Sequence, residues 1–466
     1  MPIPKKDLLL LFVGSILLTI LTSLGFLYSL GYRLDRSNLS LVRSAIMMIE
    51  SYPREASIYL DNKLIKQDTN AELKDLDPGI VEVRVEKPGY QVWQKSIDLV
   101  EGLVEFVDYV ILAPEKPELE DFELVVNDSE NYQLIDYKIS SDRLNSLALS
   151  KSSDDYHLSY YNHDRADSLE NPQLLVVKED QIIQTKLYPK LEIVKVGEDK
   201  NAILKATNTK EEAYWLYYNG SDLINLDSTM SIREGELVLV PNQPEKLVWI
   251  KGTELRILNL RDKTIGPVVT NKLFDYQVSS GQINLLTLDK ERLSLSQLDQ
   301  NNASLIPLLD DLESDPNIQV ESIDYRGQSS IAILYPVSQK LVWYQDYKTK
   351  LKTELLSSQA TALRLSPDNR YLLWQDSAGW NSFDLLYPDS SIEVSSESLD
   401  PELVWFDSRH LISNQASLKL LDFDGTNSMS LSEQIDSPII FDLENKDLIM
   451  VNLKTKLFKK LNLIPR

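Results

Sequence analysis

The chain has no cysteine among its 466 residues. Disulfides, thiolate nucleophiles and thiolate metal ligands are excluded together, so stability has to come from apolar cores. Histidine is nearly as scarce. The three present, His157, His163 and His410, fall in no His-Glu-x-x-His pattern. Glycine numbers only 15, with no Gly-x-Ser-x-Gly elbow and no phosphate-cradling loop. Positive charge is also short: 48 Lys+Arg stand against 71 Asp+Glu, a net charge of −23. That balance argues against nucleic acid or anionic lipid as the main partner. Acids are too numerous for any one pair to be informative. Asp154 and Asp155 are conceivable catalytic carboxylates that read first as exposed loop acids. On this basis no catalytic, cofactor-binding or metal-ligating residue is assigned, and no cofactor is expected.

What is present begins with a 23-residue run without charge, Leu8 to Leu30. At about 1.5 Å per residue it spans a hydrocarbon core of roughly 30 Å, and in lipid it has to be helical. Tyr28 and Tyr32 mark its outer end, at headgroup level. A cleaved signal peptide is the competing reading, but its apolar region is shorter, about 7–15 residues, and Ser23-Leu24-Gly25 is a poor cleavage site. Lys5 and Lys6 on one side balance Arg33, Arg36 and Arg43 on the other. Orientation therefore follows from the large domain, which translocates largely regardless of charge. Residues 1–7 are expected as a cytoplasmic tail, 8–30 as a transmembrane signal anchor and 31–44 as a juxtamembrane spacer. The remaining bulk is expected outside the cytoplasm.

From Ala45 the pattern becomes short apolar runs between turn residues, the signature of strands. Val81, Val83 and Val85 alternate with Glu82, Arg84 and Glu86, so one face of that strand is buried and the other wet. About 70 residues built this way make a small β-sandwich. Its landmarks are Ser51-Tyr52-Pro53-Arg54-Glu55-Ala56, Tyr59-Leu60-Asp61-Asn62, Leu76-Asp77-Pro78-Gly79, Lys87-Pro88-Gly89-Tyr90 with Trp93, and Leu112-Ala113-Pro114. In order and spacing they resemble the PEGA domain family. The namesake tetrapeptide here reads Pro-Arg-Glu-Ala, with Glu55 where the family has a glycine that supplies positive φ cheaply. The resemblance implies a sandwich over 45–114 and a role in envelope contacts.

Pro114 and Pro117 interrupt the sheet pattern, which gives a linker over 115–121. Beyond it strand-like runs recur, with no amphipathic helix of convincing length. Repeat starts fall near Phe122, Leu191, Gly235, Leu273, Val320, Thr361, Glu402 and Pro438. After the long first interval their spacing is about 41 residues, within the range of four-stranded propeller blades. Leu365-Ser366-Pro367-Asp368-Asn369-Arg370-Tyr371-Leu372 resembles the Ser-Pro-Asp-Gly turn of WD-like periplasmic propellers, with Asn369 in the left-handed position. The expected fold is all-β: a transmembrane helix, a sandwich, and a propeller of seven or eight blades over 122–466. A sandwich array is the rival, since it too spaces strands by 8–12 residues.

Three further features weigh against a site. Trp249, Trp343, Trp374 and Trp405, each after two apolar residues, occur at intervals that do not fit the blade period; they are expected to pack between blades. Asp422-Phe423-Asp424-Gly425-Thr426-Asn427 has its glycine too early for a twelve-residue calcium loop and reads as a β-turn. The basic run Lys454 to Lys460 suits contact with a polyanion such as an envelope polymer, and reads first as lysines on a last strand that closes the ring. These readings point to a single-pass membrane-anchored, extracytoplasmic binding or scaffolding protein of the bacterial cell envelope, without enzymatic activity. The membrane engages residues 8–30, and an envelope protein or glycan partner engages the propeller. The alternative is a propeller hydrolase or lyase acting on envelope polymers. A sensor is less favoured, because seven cytoplasmic residues leave it little apparatus.

Overall fold

The computed structural model describes residues 5–29, 31–34, 41–122, 133–141, 143–151, 155–162, 173–178, 190–208, 210–279, 281–345, 352–377, 379–386, 391–393, 403–414, 417–433, 439–442, 447–452 and 457–463. The chain divides into two compact units, one up to Lys116 and one from Pro117 onward.

The first unit opens with helix α1 (Lys5–Ser29). Thr19 and Thr22 donate their hydroxyls to the carbonyls of Ser15 and Leu18, four residues back, at 2.9 and 2.7 Å. Their polar groups thus need no external partner. Side chains of this helix are described over 12–27, and among the described residues no helix is long and apolar enough to cross a membrane. The stretch expected as a spacer carries a short ladder instead: β1 (Tyr32–Leu34) pairs antiparallel with β2 (Leu41–Arg43). Gly31, at φ +82°, makes the turn out of the helix, and the residues after it are apolar and aromatic enough to hold a strand.

Seven strands follow: β3 (Ala45–Tyr52), β4 (Ser57–Leu60), β5 (Lys63–Asp68), β6 (Ala71–Leu76), β7 (Gly79–Glu86), β8 (Trp93–Leu99) and β9 (Val104–Ile111). They form a three-stranded sheet, β6-β3-β9, and a four-stranded sheet, β5-β4-β7-β8. β3 and β9 run parallel; the other pairs are antiparallel. Alternation selects the core. Ala45, Met47 and Ile49 of β3 are buried with Ile58, Val83, Val85, Trp93 and Val107. Glu55 stands at φ +60°, so a residue with a Cβ occupies the left-handed position.

The second unit begins with β10 (Leu119–Phe122), which lies partly inside the stretch expected as a linker. Among the described residues this unit holds eight four-stranded antiparallel sheets. Seven use four consecutive strands. The eighth takes its last three from the end of the chain, Ile439–Asp442, Asp447–Asn452 and Leu457–Asn462, and its fourth from β10. This is the ring closure of a β-propeller, and the sheets are called blades 1 to 8 below. Their first strands begin at Gln133, Lys190, Glu236, Leu273, Gln319, Ala362, Val404 and Ile439. All but the first lie within two residues of the expected repeat starts. The first differs because Phe122 ends the closing strand and does not open blade 1.

Among the described residues, apolar clusters join the blades in order from 1 to 7 and blade 8 to blade 1. Leu149 and Leu158 of blade 1 pack with Leu204 and Leu216 of blade 2. Ile203 and Tyr217 of blade 2 pack with Leu247 and Leu258 of blade 3. Similar clusters connect blades 3 to 4, 4 to 5, 5 to 6 and 6 to 7. Ile449 of blade 8 packs against Tyr137, Ala148 and Tyr161 of blade 1, across the closure. First strands adjoin one another between blades 1 and 2, 4 and 5, and 5 and 6, which makes them the innermost strands.

Candidate functional site

The four tryptophans of the apolar triplets sit where blades meet. Trp343 of blade 5 meets Phe383 of blade 6 edge-on, with ring centroids 5.0 Å apart and planes at 75°. Trp374 belongs to the same cluster, Trp405 to the one between blades 6 and 7, and Trp249 to the one between blades 2 and 3. Their spacing misses the blade period because they occupy different strands of their blades: the second in blades 3 and 6, the third in blade 5, the first in blade 7.

The Asp422–Asn427 hairpin is a turn held by its own side chains. Asp424 Oδ1 accepts from the Thr426 hydroxyl at 2.6 Å, and Asp422 Oδ2 accepts from Asn427 Nδ2 at 2.9 Å. Asn369 has φ +60°, and Ser366 Oγ accepts from Arg370 N and Tyr371 N at 3.1 and 2.8 Å. His157 is buried in blade 1, and burial lowers its pKa below the ordinary imidazole value, against the charge of Asp155. His410, in blade 7, lies 2.8 Å from Asp407 Oδ1 through Nδ1. The two histidines are therefore not brought together. Asp154 and His163 lie outside the described residues. Among the described residues no three metal-ligating side chains converge.

The feature that gathers chemistry is a cavity of about 500 Å³ on the innermost strands of blades 2 to 5. Carboxylates dominate its wall: Glu198, Asp199, Glu236, Asp275 and Glu321, against a single amine, Lys195. Four of the five acids accept from a neighbouring blade, and Asp275 from the residue that follows it. Glu198 accepts from Ser141 Oγ at 3.2 Å, and Asp199 from the backbone N–H of Asn242 at 2.7 Å. Asp275 accepts from the Tyr276 N–H at 2.8 Å, Glu236 from the Tyr276 hydroxyl, and Glu321 from the Ser279 hydroxyl. Asn201, buried at the edge of the cavity, has an Oδ1 with no hydrogen-bond partner among the described residues. That oxygen occupies the space a side chain at position 197 would fill. A Cβ on Gly197 would stand 1.9 Å from it.

Burial controls the charges here. It raises the Glu321 carboxyl, opposed by the Ser279 hydrogen bond and by Arg364. It lowers the Lys195 ammonium, opposed by Glu236 and Glu198. Tyr276 is held neutral far above neutral pH by burial, by its hydrogen bond to Glu236 and by that carboxylate's charge. A carboxyl that burial leaves reluctant to ionise gains most from an arriving cation.

This cavity was not legible as a site, yet one signal for it was there. Leu134-Ile135-Asp136-Tyr137-Lys138-Ile139-Ser140-Ser141 and Leu273-Phe274-Asp275-Tyr276-Gln277-Val278-Ser279 are near copies. Both are first strands with a bulge before the aspartate, which re-aims its side chain. Asp136 uses that geometry to accept the N–H of Ile193 in blade 2 at 2.8 Å. The repeat therefore marks inner strands.

Residues 44–110 match the PEGA domain family. No curated protein matches the chain in sequence. Similar solved structures include Hsv2 of Kluyveromyces lactis, at 11% identity and TM-score 0.36, covering 71% of this chain and 98% of that one. The apo form of AztD from Citrobacter koseri is 13% identical with TM-score 0.39, covering 81% and 96% respectively. The Dos1 propeller is 11% identical with TM-score 0.37, covering 73% and 94%.

Proposed function

We propose that the chain is a single-pass membrane-anchored binding or scaffolding protein of the cell envelope, whose propeller takes a basic group of a partner in the inner-strand cavity. The cavity carries this reading: five carboxylates face one amine whose own charge is weakened by burial. Anchoring is supported by the 23 uncharged residues from Leu8 to Leu30, with the amino terminus inside and the bulk outside the cytoplasm. The net charge of −23 favours partners that are neutral or basic at the contact and disfavours nucleic acid. The PEGA match suits a role in envelope contacts.

The protein works without catalysis in this reading. Activated groups ordinarily come as cysteine, clustered histidine or a nucleophile elbow, and the sequence supplies none of them. Full-length protein in detergent should retain a partner that salt elutes and that a Glu236→Gln/Glu321→Gln variant fails to hold. It should turn over no peptide, ester, phosphate or glycan substrate. Turnover lost on changing one or two acids would favour a hydrolase or lyase instead.

A further inference from the structure

Exposed apolar side chains gather at one end of the sandwich, the end where β3 begins. There Ile80 is 79% exposed, Leu103 58%, Phe106 56% and Val100 52%, with Val104 also outward. Val107 of β9 points into the core, so Val104 and Phe106 point away from it. The parallel register sets Val104 beside Ile46 and Phe106 beside Met48, both half-buried, and continues the patch across the sheet's outer face. Ile80 pairs with Asp98, which brings it to the same end as Val100.

Hydrogen bonds tie this end to the end of α1. Ser44 N–H donates to Gly31 O at 2.9 Å, two residues past the helix, and the Arg43 guanidinium lies 5.7 Å over the Tyr32 ring. On the other side Arg43 N–H donates to Glu101 at 2.8 Å, and Ile46 N–H to Leu103 O at 3.1 Å. Residues 101–103 are thus about two strand spacings, roughly 10 Å, from the helix end. The polar layer of a bilayer is about 5–8 Å deep on each side, and interfacial apolar faces enter it by about 5–10 Å. Tyr32 and Arg43 are residue types of that layer.

The geometry points to a lipid-facing surface: the β8–β9 hairpin and the outward residues at the start of β3 and β9, Ile46, Met48, Val104 and Phe106, rest in the headgroup layer beside α1. This inference rests on the anchor reading above. Insertion is chiefly apolar, because Glu101, Glu105 and Asp108 accompany the patch and offset Arg33 and Arg43 towards anionic lipid. The sandwich then stands upright. Arg54, past the far end of the eight-residue β3, is about 25 Å from the lipid.

The absence of native cysteine allows single labels on the full chain. Leu17→Cys, Leu103→Cys and Arg54→Cys, each carrying an environment-sensitive fluorophore, would be reconstituted in phosphatidylcholine vesicles with nitroxides high on the acyl chains. The labels at 17 and 103 should be blue-shifted and lose most of their emission to the nitroxides, while the label at 54 stays in water, open to iodide. Added salt should change none of this. Quenching at 17 without quenching at 103 overturns the inference and leaves the anchor standing. No quenching at 17 overturns both. Quenching at all three overturns the upright sandwich and its specific surface.

Discussion

Leu119 lies opposite Leu461 in the closing ladder, so the first and last strands of the second unit share one sheet. Glu120 and Asp121 follow opposite Lys460 and Lys459, opposite charges in register. Deleting residues 446–466 should therefore lower the thermal stability of the whole propeller and not merely trim one end. Reversing both lysines, Lys459→Glu with Lys460→Glu, should cost about 1 kcal/mol, since directly opposed like charges destabilise a ladder. Chemical denaturation reads both effects. Unchanged midpoints would favour an open array, in which each repeat touches only its neighbours.

Glu55 holds φ +60° in the turn that follows β3. A left-handed residue with a Cβ costs about 1–2 kcal/mol, and glycine escapes that cost at some loss of unfolded-state entropy. Glu55→Gly should stabilise the sandwich by about 0.5–1 kcal/mol on those magnitudes. Hydrogen exchange at the amides of β3 and β4 would slow. Faster exchange would mean that the glutamate contributes more than its backbone strain.

Trp343 connects blades 5 and 6 through its edge contact with Phe383. Trp343→Ala should cost about 3–5 kcal/mol, and Trp343→Phe much less. Unfolding should stay a single transition for the propeller, because apolar clusters join blades 1 to 7 in series and blade 8 to blade 1 through the closure. A loss below about 1 kcal/mol would contradict the packing role.

Glu321 has its pKa raised above the ordinary 4.5, first by burial. A carboxyl that binds its proton more tightly when folded destabilises the fold while ionised. That cost is fully present above the raised folded pKa and is relieved as pH falls through it. Below 4.5 both states are protonated and nothing further is gained. Stability should thus rise as pH is lowered towards that window, and Glu321→Gln should remove the rise. Identical pH profiles for the two proteins would count against a buried, reluctant carboxylate.

Much of the second unit was legible because each blade needs apolar alternation on its strands and polar turns between them, and both are local. Closure was less so. β10 is a short acidic strand beside two prolines, and only its distant partner makes it a strand. The sandwich was legible from turn residues such as Pro88-Gly89, whereas Glu55 carries no local sign that it adopts glycine's conformation. The cavity was the least legible part. Glu198, Glu236, Asp275 and Glu321 come from four blades, and in an acidic chain no single carboxylate stands out until the ring brings them together.

The central claim is that these carboxylates receive a cationic group. Calorimetric titration of the full-length protein with a tetralysine peptide tests it most directly, with tetraglutamate as control. The account predicts that tetralysine binds, more weakly as salt rises, and that the Glu236→Gln/Glu321→Gln protein loses most of that affinity while keeping its fold. Equal affinity of both proteins for tetralysine, or binding that salt leaves unchanged, would contradict it.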